Sequence, residues 1–106
     1  MKNLKKYNTF GEHLRILREN QGLTLKEVAT SIDIDISLLA KIERNERQPK
    51  RSLIKNISSY FKIDEKSLLN ELLSDQIAYK IINEDADLKI LKVAEKKIKY
   101  RTLKNL

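Results

Sequence analysis

The sequence predicts an all-α fold, five short helices in one bundle followed by a helical extension. Three observations predict it. Gly and Pro number only two and one in 106 residues, too few for a turn-rich β architecture. Apolar side chains recur three and four apart along most of the chain, the period of a half-buried helix. Thr-x-x-Glu occurs at Thr9–Glu12 and again at Thr24–Glu27. In this capping box, the threonine and the glutamate each satisfy a backbone donor that the other leaves free at a helix start.

The elements follow in order. Residues 1–8, with Lys2, Lys5 and Lys6, read as a loosely held basic arm. The first helix starts at Thr9 and buries Phe10, Leu14 and Leu17, with Ile16 at the margin, until Asn20-Gln21-Gly22 ends it. Thr24 opens a second helix whose inner side carries Leu25, Val28, Ala29 and Ile32. Asp33-Ile34-Asp35 is a tight turn, because Asp visits the left-handed region at modest cost. Asp35 is the expected N-cap of a third helix running to about Asn45, with Leu38, Leu39 and Ile42 inward. Pro49 stops that run. A fourth helix takes Leu53, Ile54, Ile57, Tyr60 and Phe61, and Asp64 caps a fifth containing Leu68, Leu69, Leu72 and Leu73. The helical domain therefore spans 9–73 and the extension 74–106. In the extension Ile77, Ile81 and Ile82 continue the period, Asn83-Glu84-Asp85 reads as a break, and Leu88, Leu91, Val93, Ala94 and Ile98 carry more helix. A helical hairpin and a single bent helix both fit this pattern.

Composition narrows the function classes. Lys and Arg total 22 against 15 Asp and Glu, a net charge of +7 with a pI near 9.6. That excess suits a polyanionic partner, nucleic acid before membrane. The charge is segmented: residues 62–88 carry 3 basic and 7 acidic side chains, residues 89–106 carry 7 and 1. With no Cys, disulfides and thiolate metal sites are excluded, and His13 alone cannot build a zinc site. No apolar run nears the roughly 18 residues a membrane span needs, and MKNLKKYNTF lacks the apolar core of a secretory signal. The expected compartment is the cytoplasm. Asp85 and Asp87 lie two apart, off any shared helical face, with no nucleophile beside them. The expectation is a protein that is not an enzyme and needs no cofactor.

The second and third helices meet across the acidic turn as a helix-turn-helix does. In such a unit the first helix spans the DNA backbone and the second lies in the major groove. Close crossing needs a small residue midway along the first, and Ala29 is placed for it. The groove-facing side must offer donors and small or apolar groups, because base edges present N7, O6 and O4 acceptors and the thymine methyl. Ser37, Lys41 and Arg44 fall at i, i+4 and i+7 on one outward stripe, with Ile36 and Ala40 beside them. These five are the candidate base contacts. Arg47, Lys50, Arg51 and Lys55 follow where phosphates would pass.

On these residues the sequence resembles the phage-repressor and Cro type of helix-turn-helix regulator, the XRE family, from about Phe10 to Leu73. Its signature here is LRILRENQGLT, then KIERNERQP, then FKIDEKSLL. The resemblance implies a repressor-like five-helix bundle that binds double-stranded DNA, often as a dimer on two inverted half-sites. It puts Asp35 at the recognition-helix N-cap and Ile36, Ser37 and Lys41 at bases. Arg44, Arg47 and the residues after Pro49 it puts at phosphates. It also implies a largely buried structural ion pair between Arg18 and Glu43. Departures exist. Leu25 stands where the family commonly has a backbone-contacting Gln, leaving Thr24 and Lys26 to touch phosphate instead. The family's turn Gly is Asp33, and its Gly after the third helix is Asn45.

The extension, in LLSDQIAYKI and LKVAEKKIKY, is similar to regulators that accompany DNA methyltransferase or restriction-modification genes. Its apolar stripe must be buried somewhere, either on its own domain or on a second subunit, and the second is the covering that a dimeric operator binder needs. The candidate dimerisation residues are Leu72, Ile77, Ile81, Leu88, Leu91 and Ile98. Lys96, Lys97, Lys99, Arg101 and Lys104 serve either flanking phosphates or simple solvation. The leading expectation is a homodimeric, sequence-specific transcriptional regulator. Its rival is an antitoxin-like or adaptor module whose C-terminal helices grip another protein.

Overall fold

The computed structural model describes residues 9–104. The basic arm expected over 1–8 lies outside the described residues. Within them there are six helices and no strand: α1 (Phe10–Asn20), α2 (Leu25–Ser31), α3 (Ile36–Glu43), α4 (Leu53–Phe61), α5 (Glu65–Asn83) and α6 (Ile90–Lys104). The all-α expectation holds. The chain divides into two compact units, Met1–Asp75 and Gln76–Leu106.

Both capping boxes form. The Glu12 amide donates to Thr9 Oγ1 at 3.2 Å while Glu12 Oε1 accepts from the Thr9 amide at 3.3 Å. At α2 the matching distances are 3.1 and 2.9 Å. Helix ends are closed in one recurrent way. A left-handed residue follows the helix, and the next amide donates to a carbonyl five residues back. Gly22, Asp33, Asn45 and Lys62 hold that position after α1 to α4, with φ between 57° and 66°. The closing bonds are Leu23→Arg18, Ile34→Ala29, Glu46→Lys41 and Ile63→Ser58, at 2.9–3.1 Å. Leu23, Ile34 and Ile63 then fold onto the core, the apolar contact that accompanies this motif.

The core draws on all five helices of the first unit: Phe10 and Leu14, Val28, Ala29 and Ile32, Leu39 and Ile42, Leu53, Ile54, Ile57 and Phe61, Leu68 and Leu72. Leu17, Leu25, Leu38 and Tyr60 pack half-buried at its edge. Gly11 lets α1 approach the end of α3, since a Cβ there would sit 2.0 Å from the Ile42 carbonyl oxygen. Asn56 Nδ2 donates to the Ile32 carbonyl at 3.3 Å, tying α4 to the end of α2.

Asp64 caps α5, accepting from the Ser67 amide at 2.9 Å. The helix then runs unbroken through 73 and 74, where the sequence suggested a domain edge. Two acidic side chains one turn apart on α5 fasten α1. Asp75 Oδ2 accepts from the Phe10 amide at 2.6 Å, and Glu71 meets His13 Nδ1 at 2.7 Å. The Glu71 hydrogen bond raises the His13 pKa against the opposing effect of burial. Asp75 is pushed up, chiefly by burial, although the Phe10 amide pulls the other way.

One expected dimerisation residue is corrected here. Leu72 is 0% exposed and belongs to the core of the first unit, so it cannot also face a second subunit. In the second unit, Asp85 at φ 51° and the Ala86→Ile81 bond of 3.0 Å end α5, so the Asn83–Asp85 break separates two helices. No residue of α6 is buried. Ile77, Leu88, Leu91 and Ile98 are exposed and Ile81 is half-buried.

Candidate nucleic-acid interface

α3 is eight residues long, shorter than an isolated helix can be in water. Its position comes from what grips it. Leu39 and Ile42 are sunk into the core, and α3 packs on α1 and on α2, whose Ala29 is buried. Asp33 and Asn45 turn the chain at its two ends. Asp35 has extended backbone angles at the N-cap, but its side chain makes no capping bond. The helix stops at Glu43, slightly short of the expected Asn45, because Arg44 is already the C-cap.

Arg18 and Glu43 add a polar anchor. Arg18 Nε and Nη2 donate to the two Glu43 oxygens at 2.8 and 2.9 Å, and Nη1 donates to the Leu23 carbonyl at 3.0 Å. The side chains are 13% and 5% exposed. The guanidinium is held still more firmly cationic by the Glu43 hydrogen bond, against the cost of burial. A bidentate pair of this kind fixes α1 to the last turn of α3 in one register.

The opposite side of α3 is open. Ile36, Ser37, Lys41 and Arg44 are exposed and Ala40 is half-buried between them, so the five residues expected at bases form one accessible ridge. Ile36, at 46% exposure, is the one large apolar side chain left in solvent among the described residues of the first unit. Thr24 and Lys26 are exposed at the start of α2. The Thr24 hydroxyl oxygen accepts from the Glu27 amide, and hydrogen bonds from the Thr24 amide and side chain hold the Glu27 carboxyl below its usual pKa. Arg47, Lys50 and Arg51 are exposed on the segment between α3 and α4, around a buried Pro49.

Sequence reasoning overlooked three features of this face. Arg44 is not free: its Nε and Nη2 donate to Glu46 Oε2 and Oε1 at 2.8 and 3.2 Å. That bond raises the Arg44 pKa and lowers that of Glu46. The signal was an Arg-x-Glu step across a helix end. Gly11 was read only as part of a helix, though the missing Cβ sets how closely α1 meets α3. Behind α3 lies a depression of about 340 Å³ lined by Ile34, Leu38, Pro49, Leu53 and Gln48. The Gln48 carboxamide oxygen is shielded and lacks a hydrogen-bond partner.

Comparison with known proteins gives three likenesses. A family model described as a helix-turn-helix domain matches residues 11–72. The HTH-type transcriptional regulator DdrOP3 of Deinococcus deserti is 33% identical over 69 residues, covering 63% of this chain and 54% of that protein. The chain thus spans about half the length of that curated relative. A chain solved in the SinR protein/SinI protein complex aligns with a TM-score of 0.53 at 20% identity, over 89% of this chain and 98% of that one. At that identity the likeness is one of fold.

Proposed function

The chain belongs to the helix-turn-helix domain family, and from that premise we propose that it is a sequence-specific, double-stranded-DNA-binding transcriptional regulator. It acts in the cytoplasm as a homodimer on an inverted-repeat operator. The observation that carries this reading is the two-sided character of α3. One side is locked into the core by apolar contacts and a bidentate ion pair. The other offers Ser37, Lys41 and Arg44 to solvent, flanked by Ile36 and Ala40. Lys41 and Arg44 would donate to purine N7 and O6, Ser37 would donate or accept, and Ile36 and Ala40 would pack on thymine methyls. Thr24, Lys26, Arg47, Lys50 and Arg51 would hold the phosphates on either side.

Dimerisation rests on the second unit. Among the described residues, nine of the ten exposed large hydrophobic side chains lie between Ile77 and Leu103. Ile90, Leu91, Ala94 and Ile98 recur at the spacing of one helical face. In this reading Ile77, Ile81, Leu88, Leu91 and Ile98 meet their counterparts on a second copy. The choice of target, a methyltransferase or restriction-modification gene, rests on the wording of the extension alone.

Selection of bound sites from a random duplex pool tests the proposal. A palindromic consensus is expected, with specific binding at least ~10³-fold over random duplex. Affinity should fall steeply with salt. Lys41→Ala and Arg44→Ala should each weaken binding while helical content is unchanged. Full binding by both variants would refute the site. A second reading, an antitoxin-like or adaptor module, is favoured by one observation: the fold neighbour was solved as a complex of two proteins. Light scattering separates the two, since a monomer would favour a missing protein partner over a homodimer.

A further inference from the structure

Arg44 is the one cation of the α3 ridge already engaged by a carboxylate, and the edge it uses decides what it can still do. Glu46 occupies Nε and Nη2 in a bidentate pair. A guanidinium carries five N–H donors in a fixed plane, so the side edge is taken and the terminal Nη1–Nη2 edge is left. Two parallel donors at that end match the O6 and N7 acceptors of guanine in the major groove, and no other base presents two acceptors there. Both side chains are more than half exposed, so the pair stands at the surface, and Lys41 also acts on the Glu46 carboxylate through its charge.

We propose that Glu46 is a specificity-determining residue that holds Arg44 end-on to read a guanine. This rests on the reading of α3 as the groove helix. Two effects combine in it. The pair restricts a long, flexible side chain before DNA arrives, which lowers the entropy lost on contact. The Glu46 carboxylate also repels phosphate, so Arg44 is discouraged from settling on the sugar-phosphate backbone. A free arginine at this position would bind any duplex more tightly and discriminate less. Glu46 itself donates nothing to a base and sits outside the ridge. Its role is to position Arg44.

The test is site selection from a random duplex pool with the wild-type chain, Glu46→Gln and Arg44→Ala. A scrambled duplex titrated at several salt concentrations accompanies it. The wild-type consensus should contain a guanine whose preference falls about tenfold in Glu46→Gln and is lost in Arg44→Ala, with other positions unchanged. Glu46→Gln should also bind scrambled duplex more tightly, with a salt slope steeper by up to about 1 as Arg44 gains a phosphate. A wild-type consensus that Glu46→Gln leaves unaltered at every position overturns this inference and spares the DNA-reading proposal. So does an Arg44-dependent position that prefers any base but guanine. No consensus with the wild-type chain overturns both.

Discussion

Removing either partner of the Arg18–Glu43 pair should cost far more than removing both. Glu43 is 5% exposed, and among the described hydrogen bonds it accepts only from Arg18. Arg18→Met keeps the apolar stem and strands that carboxylate, so the loss should approach the upper end of about 3–5 kcal/mol for breaking a buried pair. Glu43→Leu should fall nearer the lower end of that range of about 3–5 kcal/mol. Its arginine keeps the Leu23 carbonyl at 3.0 Å and has 13% exposure to water. Small domains have about 5–15 kcal/mol in all, so Arg18→Met should stand near unfolding at physiological temperature. The double variant Arg18→Met/Glu43→Leu removes both charges and fills the site with apolar volume. It should be more stable than either single variant, within about 2 kcal/mol of the wild type. Urea unfolding followed by helical circular dichroism reads all four proteins. If the double loss equals the sum of the single losses, or if each single variant lies within about 1 kcal/mol of the parent, the pair is not the anchor described.

Three further outcomes follow from single residues. Gly11→Ala should lose about 2 kcal/mol or more despite alanine's better helix propensity, because its Cβ would lie 2.0 Å from the Ile42 carbonyl oxygen; the urea midpoint measures it. Lys62→Gly should gain about 0.5 kcal/mol, because Lys62 holds a φ of 57° that glycine adopts freely; a melting temperature below the parent's would contradict this. The His13–Glu71 bond raises the His13 pKa, so its contribution is complete below the ordinary value of 6.5 and fades as pH rises through the raised folded value. The stability gap between wild type and His13→Gln should therefore narrow from about pH 5.5 to 8.5, and a gap that widens would count against the pair.

The helix starts of α1 and α2 were legible because a capping box is written in two residues three apart, and both boxes form with reciprocal bonds. The third helix and its inward and outward sides were legible for a similar reason, since period and turn agree there. Helix ends were harder. Asp33 and Asn45 suggested left-handed turns by residue type, whereas Lys62 adopts one with no local signal except the isoleucine that follows. That isoleucine packs on the core, so tertiary burial overrides the residue's own preference. The placing of Leu72 at a subunit face has a plain cause. Periodicity reports that a side chain is covered and is silent on what covers it. In α5 the same stripe passes from the core of the first unit at Leu72 to open surface at Ile77. The Glu46 contact escaped because charge at i, i+2 past a helix end has no regular geometry until the C-cap is known.

If α3 enters a groove as proposed, it faces a conflict that this chain resolves by dividing the helix lengthwise. Its outer residues must stay available, so they can contribute little to folding, and eight residues cannot hold a helix by backbone bonds alone. All the fixing energy must then come from the inner side and the two ends. Leu39 and Ile42 supply the apolar part, and Gly11 brings α1 into direct contact with the last turn. Arg18 adds direction, which apolar contact lacks: two parallel bonds to Glu43 tolerate little rotation of α3 about its own axis. Rotation matters most for a reading helix, since a small turn about the axis would carry Lys41 and Arg44 away from the bases that the proposal has them face. On this argument the buried charge pair is kept for aim as much as for stability. The double variant Arg18→Met/Glu43→Leu separates the two roles, because it should fold well and yet discriminate less sharply among duplexes than the wild type. Equal discrimination by the two proteins would mean that apolar packing alone sets the angle.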